Sequence, residues 1–402
     1  MSSTRRPAVI LVGLDTMQGL QAARILARHG IPVVAIASDP AHYACKTNVC
    51  ERIIFADCHS EEVIEVLERE AAGFGEKPVV IPCDDAEVGV ISRYRDRLSG
   101  AYHVPLPAPE VIELMLDKVA FYSYAQEAGL PIPRTVFLRS PADAARAART
   151  LSFPIAVKPP SKAGRWVQHT TMKAFKLSRP GELVPFYNAH RDWADVLIAQ
   201  EWVEGPDSAL YSCNCYFDTT STPLVTFVAR KIRQWPPRVG DSSLGVECRN
   251  DRVAEVAVKL FSGVGYHGLA YLEMKRDEQS GELLIMEPNV GRPTGRSAIA
   301  EAGGVELLYT LYCDTVGLPL PPNRRQMFTG AKWINLRKDT QSALYSWRRK
   351  ELTLRQWRDS WRGHKGYAVW SLRDPRPFFS DLATSVGRLF DRSGRKRGPG
   401  AR

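Results

Sequence analysis

The chain lacks several features that would each have fixed a function class. Its eight cysteines, at 45, 50, 58, 83, 213, 215, 248 and 313, include no CxxC pair. That usage argues against a disulfide framework or a common zinc module and points to a reduced, cytoplasmic protein. Cys45, Cys50, Cys58 and His59 are the one conceivable zinc set, and their spacing is wrong for it. No apolar run approaches the roughly 20 residues that a membrane span needs. The run from Ala8 to Leu14 is interrupted by Asp15 and reads as a buried first strand rather than a signal peptide. The turn after it, Gly13-Leu-Asp15-Thr-Met-Gln-Gly19, has Asp15 and Gln18 where a dinucleotide fingerprint needs glycine. Asp39 after the second strand does not repair that loss. No Ser-His-Asp or Cys-His arrangement announces a covalent nucleophile.

Acidic residues are scarce at one end only. Residues 331–402 hold 18 Lys and Arg against 6 Asp and Glu, a net of +12, whereas residues 1–330 come to −2. Five of the nine tryptophans (333, 347, 357, 361, 370) lie in the same basic stretch. Trp333 and Trp370 are expected to be core. Trp347, Trp357 and Trp361 are left open between core and a surface for anionic polymer or membrane. No specific nucleic acid is expected. The closing residues DRSGRKRGPGAR are expected to be disordered.

Strand and helix patterns alternate through the first hundred residues: strands at 8–14, 32–38 and 77–82, helices at 17–29, 60–71 and 86–98. That rhythm predicts an α/β, Rossmann-like parallel sheet over 1–110. Asp117 reads as the N-cap of a helix from Lys118 to Ala128. From 111 to 330 the pattern is α+β, with strands at 153–159, 196–203, 209–218 and 223–233 and helices at 251–263 and 298–313. Residues 331–402 form a small basic extension.

The stretch YLEMKRDEQSGELLIMEPNVGRPTGR, 271–296, carries the chemistry. Two alternating runs flank a turn, DEQSGE, as in a β-hairpin. Glu287 and Asn289 are two apart and share a face, and pairing can bring Glu273 opposite them. Two carboxylates and an amide oxygen converging on one face call for a hard divalent cation, Mg²⁺ or alternatively Mn²⁺. Arg292 and Arg296 follow at once. Metal, anion and cation in such proximity suggest phosphoryl chemistry on an acidic substrate.

These motifs fall in a recognisable order: Asp117-Lys118, Lys158 in AVKPP, Gln200-Glu-Trp-Val-Glu-Gly-Pro-Asp207, Arg230-Lys231, and Glu273 with Glu287-Pro-Asn289. Over about 7–310 the chain resembles the ATP-grasp superfamily, and within it the carboxylate–amine ligases of D-aspartate-ligase type. The resemblance implies a two-subdomain clasp over ATP behind a Rossmann-like domain. It implies Lys118 and Lys158 on the α- and β-phosphates and a flap, Pro159–Trp166, in which Ser161 and Gly164 approach the phosphates beside Lys162. Relatives carry more glycine in that flap. Glu201, Trp202 and Val203 would face the adenine, with Asp207 on the ribose and Glu204 its competitor. Lys231, or second Arg230, would bridge the γ-phosphate. Arg233, Arg238 and the turn 240–245 would form a mobile loop near the substrate, and His267 is read as structural. Glu273, Glu287 and Asn289 would hold the metal, and Arg292 or Arg296 the acid.

The implied reaction joins a small-molecule acid to an amine through an acyl phosphate, releasing ADP and phosphate. Alternatives are a carboxylating or phosphorylating activity on the same clasp, or a non-catalytic binder of anionic polymer acting through 331–402. A homodimer is common in the family, and the sequence leaves it open.

Overall fold

The computed structural model describes residues 6–161, 164–237 and 240–395. A parallel sheet opens the chain: β1 (Val9–Val12), β2 (Val33–Ala37), β3 (Arg52–Phe55) and β4 (Val79–Pro82), in the order β3-β2-β1-β4. β1, β2 and β4 are buried at every residue, as strands covered on both faces must be, and so they read as unbroken apolar runs. β3 is an edge strand with exposed ends, and its pattern gave no warning of it. The tight turn before the helix Met17–Arg28 needs Gly13, at φ 90°, because a Cβ there would meet the Glu87 carboxylate at 2.0 Å. The single helix expected at 86–98 is two, Asp85–Arg93 and Arg95–Ser99.

A second, antiparallel sheet contains β5 (Thr135–Leu138), β6 (Ile155–Lys158), β7 (Phe175–Leu177) and β8 (Leu197–Glu201), ordered β5-β8-β6-β7. It has its own core of Ile155, Val157, Leu183 and Leu197 around the fully buried Trp166. Trp166, the last residue of the expected flap, is thus part of a core. Its Nε1–H donates to the Met172 carbonyl (2.8 Å), and it anchors this subdomain.

The third sheet has seven strands: β9 (Leu210–Phe217), β10 (Pro223–Trp235), β11 (Asp241–Glu247), β12 (Gly268–Arg276), β13 (Leu283–Val290), β14 (Lys332–Ile334) and β15 (Lys365–Tyr367). Their order is β13-β12-β9-β10-β11-β14-β15. Two expectations fail here. Most of the stretch 240–245 is not a mobile loop but strand β11, paired to β10 and β14. Arg233 does not approach a substrate. Register shifts on both sides of it re-aim its side chain, which grips the buried Asp339 carboxylate through Nε (2.8 Å) and Nη2 (2.9 Å). Arg238 lies outside the described residues.

The basic C-terminal stretch is woven into this architecture. It supplies β14 and β15, and Asp339 also accepts from Nε1–H of Trp357 (3.0 Å) and Trp361 (2.8 Å). Those two tryptophans are thus structural, while Trp347 is 49% exposed. Trp333 is buried, and Trp370 packs edge-on against Phe378 (5.1 Å between centroids). Arg24 of the first helix pairs with buried Asp374 (2.9 Å). The hydrophobic cluster containing Val9 and Leu11 also contains Phe227, Leu311, Trp333 and Ala368, so packing is continuous across positions 110 and 331. The helix Arg376–Arg395 extends into the segment expected to be disordered, and residues 396–402 lie outside the described residues. Among the described residues no helix is long and apolar enough to cross a membrane.

Asp339→Ala strands a buried guanidinium and two indole donors at once. It should lower unfolding stability by about 3–5 kcal/mol, measured by chemical denaturation; a change under ~1 kcal/mol would show that the hub carries little of the fold's stability.

Candidate active site

A cleft of about 620 Å³ is walled by the second sheet on one side and the seven-stranded sheet on the other. The β12–β13 hairpin forms part of it. Glu273 stands directly opposite Glu287, and Tyr271 opposite Asn289, and all four line the cleft. Glu273 lies 3.7 Å from Lys231 Nζ. Asn289 Oδ1 accepts from Arg292 Nη2 (2.6 Å) but keeps a second lone pair. Glu287 is exposed to the cleft and makes no hydrogen bond or ion pair to a described residue. An all-oxygen set of this kind suits Mg²⁺.

Lys231 and Arg230 are neighbours on a strand and point to opposite sides. Lys231 is 5% exposed and lines the cleft, whereas Arg230 faces solvent. Burial lowers the Lys231 pKa, and the charge of Glu273 opposes that shift. Its ammonium donates to Gln234 Oε1 (3.0 Å), and Gln234 Nε2 donates to Asp207 (2.8 Å). Asp207 is thus held behind Gln234 and does not itself line the cleft; Glu204 pairs with Lys176 (3.1 Å).

Arg296 is 3% exposed, and its hydrogen-bond partners are all hydroxyls: Ser242 (3.2 Å), Ser212 (2.9 Å) and Tyr271 (2.7 Å). Its Nε–H has no partner among the described residues. Arg292 donates through Nε to Asp85 (2.6 Å), which the first domain brings into the cleft. On the opposite wall Lys158 donates to Gln200 Oε1 (2.9 Å) and Tyr122 OH (3.2 Å), both neutral. Two cations, Lys158 and Arg296, therefore line the cleft with uncharged partners.

Glu201, Trp202 and Val203 line the same cleft. The Glu201 carboxylate accepts from Ser152 N–H (2.7 Å), the Glu201 and Trp202 N–H groups donate to the Arg134 and Pro154 carbonyls (both 3.0 Å), and the Val203 carbonyl accepts from Lys275 Nζ (2.8 Å), so much of this backbone is already engaged. Lys118 begins the helix Lys118–Glu127, whose Asp117 cap accepts from Val119 and Ala120 N–H, but it does not line the cleft. Ser161 and Gly164 are exposed and also outside its lining; Lys162 lies outside the described residues. Sequence reasoning missed Gln18, Asp85, Lys173, Gln234, Tyr271 and Lys275. Tyr271 and Lys275 could have been found, since they share a strand face with Glu273.

The cysteine–histidine zinc set does not assemble. Cys45 Sγ donates to the Asp39 carbonyl (3.4 Å) and Cys58 Sγ to the Ala56 carbonyl (3.7 Å), while His59 sits 2.9 Å from Asp84 and 3.9 Å from Glu87.

No family model matches the chain. It is similar to the D-aspartate ligase of Enterococcus faecium (23% identical over 253 residues, 59% of this chain and 58% of that one). It is also similar to a D-alanine–D-alanine ligase of Stutzerimonas stutzeri (23% over 203 residues, 48% and 62%). The match thus spans less than two thirds of either ligase. Among solved structures, N5-carboxyaminoimidazole synthetase of Staphylococcus aureus superposes with a TM-score of 0.62 at 14% identity, covering 81% of this chain and 82% of that one. The biotin carboxylase domain of a Hydrogenobacter thermophilus 2-oxoglutarate carboxylase, solved with MgADP and bicarbonate, gives 0.60 at 17% identity over 79% and 71%. The chain shares its fold with these two enzymes. Its α/β and α+β make-up, a parallel sheet followed by two further sheets that wall one cleft, is the ATP-grasp fold of these neighbours.

Beside the cleft, burial raises the Glu87 carboxyl to about 9 from an ordinary 4.5, and the Asp84 charge adds to the rise. A raised pKa means that the folded chain binds a proton the unfolded chain has lost. Stability is then full below pH ~4.5 and falls as pH climbs towards ~9. Relative to Glu87→Gln, the wild type should lose up to about 1.4 kcal/mol per pH unit across that window. Parallel stability–pH curves for the two proteins would exclude a protonated Glu87.

Proposed function

We propose that the chain is an ATP-dependent carboxylate–amine ligase. One observation carries the reading: Arg296 is buried with hydroxyl partners only, its Nε–H unpartnered, in the same cleft as Glu273 and Glu287. A buried guanidinium without a carboxylate is costly unless an anion completes it. A substrate acid meets that need, and its position beside the acidic hairpin fits transfer of a phosphoryl group to it.

In this reading the Glu201–Val203 backbone receives the adenine and Lys158 a phosphate. Lys118, Ser161 and Gly164 would reach the nucleotide only after the second sheet closes over it. Asp207 holds Lys231 through Gln234, and takes the ribose if that bond is exchanged. Glu273, Glu287 and Asn289 would hold Mg²⁺, or Mn²⁺, which would supply positive charge against the phosphates. Lys231 neutralises the transferring group, and Arg296, with Arg292 beside it, orients the acid. The acid's oxygen attacks the γ-phosphorus, ADP leaves, and an acyl phosphate remains. An amine then attacks the acyl carbon and phosphate leaves. Two unit charges about 4 Å apart repel by ~4 kcal/mol at an effective dielectric of 20, so converging cations are the main catalytic requirement.

The similarity in fold to two carboxylating enzymes favours a second reading, with bicarbonate as the acid. ADP release that requires an amino acid and an amine together supports the ligase; release with bicarbonate in place of the amino acid supports the alternative.

Glu287→Gln should cut ATP turnover by about a hundredfold or more while leaving the thermal transition unchanged. Near-normal turnover would remove the hairpin from metal binding. Calorimetry on Lys158→Ala should show nucleotide affinity down by roughly tenfold or more; unaltered affinity would take Lys158 out of the phosphate site.

A further inference from the structure

The C-terminal helices bear an apolar surface that the cleft does not use. The helix Leu336–Arg348 turns Asp339, Ser342 and Ala343 inward, while Leu344 and Trp347 are 42% and 49% exposed. The chain reverses around Lys350, at φ 61°, and returns as the helix Leu354–Ser360, started by a Thr353–Gln356 capping box. Thr340, Leu344, Trp347, Leu352, Leu354 and Trp357 line a shallow groove of about 110 Å³ between the two helices. Leu354, on its lip, is 59% exposed.

The rim of this groove is cationic. Arg348, Arg349, Lys350, Arg355, Arg358 and Arg362 are all exposed. Only two carboxylates lie among them. Glu351 pairs with Arg349 (2.9 Å), and Asp359 is shared by Arg355, Arg358 and Arg362 at 3.9, 3.5 and 3.4 Å. The rim therefore keeps a surplus of four positive charges, on a chain whose first 330 residues are slightly acidic.

We propose that this face seats on an anionic lipid bilayer. Leu344, Trp347 and Leu354 enter the boundary between headgroups and acyl chains, and the rim arginines meet lipid phosphates. A soluble polyanion would satisfy the arginines but leave those apolar side chains in water, whereas a bilayer takes both. The seat adjoins the cleft. Tyr345 packs edge-on against Trp235 (6.1 Å between centroids), the residue after cleft-lining Gln234, and Lys338 pairs with cleft-lining Asp241 (2.7 Å). Docking there places the cleft near the surface, where an acceptor carried by lipid would be presented.

Co-sedimentation of the full chain with phosphatidylcholine vesicles, with and without phosphatidylglycerol, tests this without relying on turnover. Binding is expected only to the anionic vesicles, weakening as salt is raised. Trp347→Ser with Leu354→Ser, and separately Arg355→Glu with Arg358→Glu, should each weaken it by about tenfold or more while the thermal transition stays in place. Three results would overturn the proposal: no binding to anionic vesicles, binding indifferent to the Trp347 and Leu354 substitutions, or a dimer in solution that dissociates when those two residues are changed. Heparin bound as tightly as vesicles, and unaffected by the apolar substitutions, would assign the face to soluble polyanions instead.

Discussion

Two carboxylates set directly across a hairpin from one another repel, and in an isolated hairpin that arrangement costs stability. The chain holds Glu273 opposite Glu287 all the same, in a sheet whose neighbouring strands fix the register. Most of what surrounds the pair follows from that constraint. Lys231 stands 3.7 Å from Glu273, and Asn289 and Arg292 are tied together alongside it. Arg296 lies further in, carried on hydroxyls. The balance of charge is incomplete on both sides. One carboxylate, Glu287, and two cations, Lys158 and Arg296, make no direct ion pair with a described residue, which is the state expected of a site that receives a cation and an anion together.

Strand geometry decides which residues can take part. Strict alternation puts Lys231 and Arg233 on one face of β10, and on that basis both belong near a substrate. The register shifts flanking Arg233 break the alternation, so that Gln234 turns to the cleft and Arg233 to Asp339. One strand thus serves two purposes: its Lys231 and Gln234 face the cleft, and its Arg233 fastens the C-terminal helices to the sheet.

The legible parts of the sequence were those written in local period. The hairpin declared itself through alternation around DEQSGE, the parallel strands through apolar runs, and the Asp117 cap through its place before a helix. What stayed hidden depended on distant partners. β5, β7, β14 and β15 are three or four residues long, too short to carry a pattern; β5, β7 and β14 exist because a longer strand lies beside them, and β15 because it pairs with β14. Trp357 and Trp361 gave no sign of their role, since it is set by Asp339, 18 and 22 residues away. Asp85 reaches the cleft only because the first sheet packs against the third.

The basic C-terminal stretch shows most clearly why composition misleads about modularity. An excess of Lys, Arg and Trp reads as an appendage, and an appendage can be deleted to learn what it does. Here deletion would remove two strands of the seven-stranded sheet, the buried Trp333 that lines the cleft, and the carboxylate that neutralises Arg233. Loss of binding or of turnover after such a truncation would report on folding alone. Among the charges exposed to a partner are those on the outer side of the 336–360 helical pair, where Arg348, Lys350 and Arg355 project beside Trp347 and Leu354. Substitution at those exposed positions separates surface from scaffold, because their side chains contribute nothing to the Asp339 hub that holds the scaffold closed.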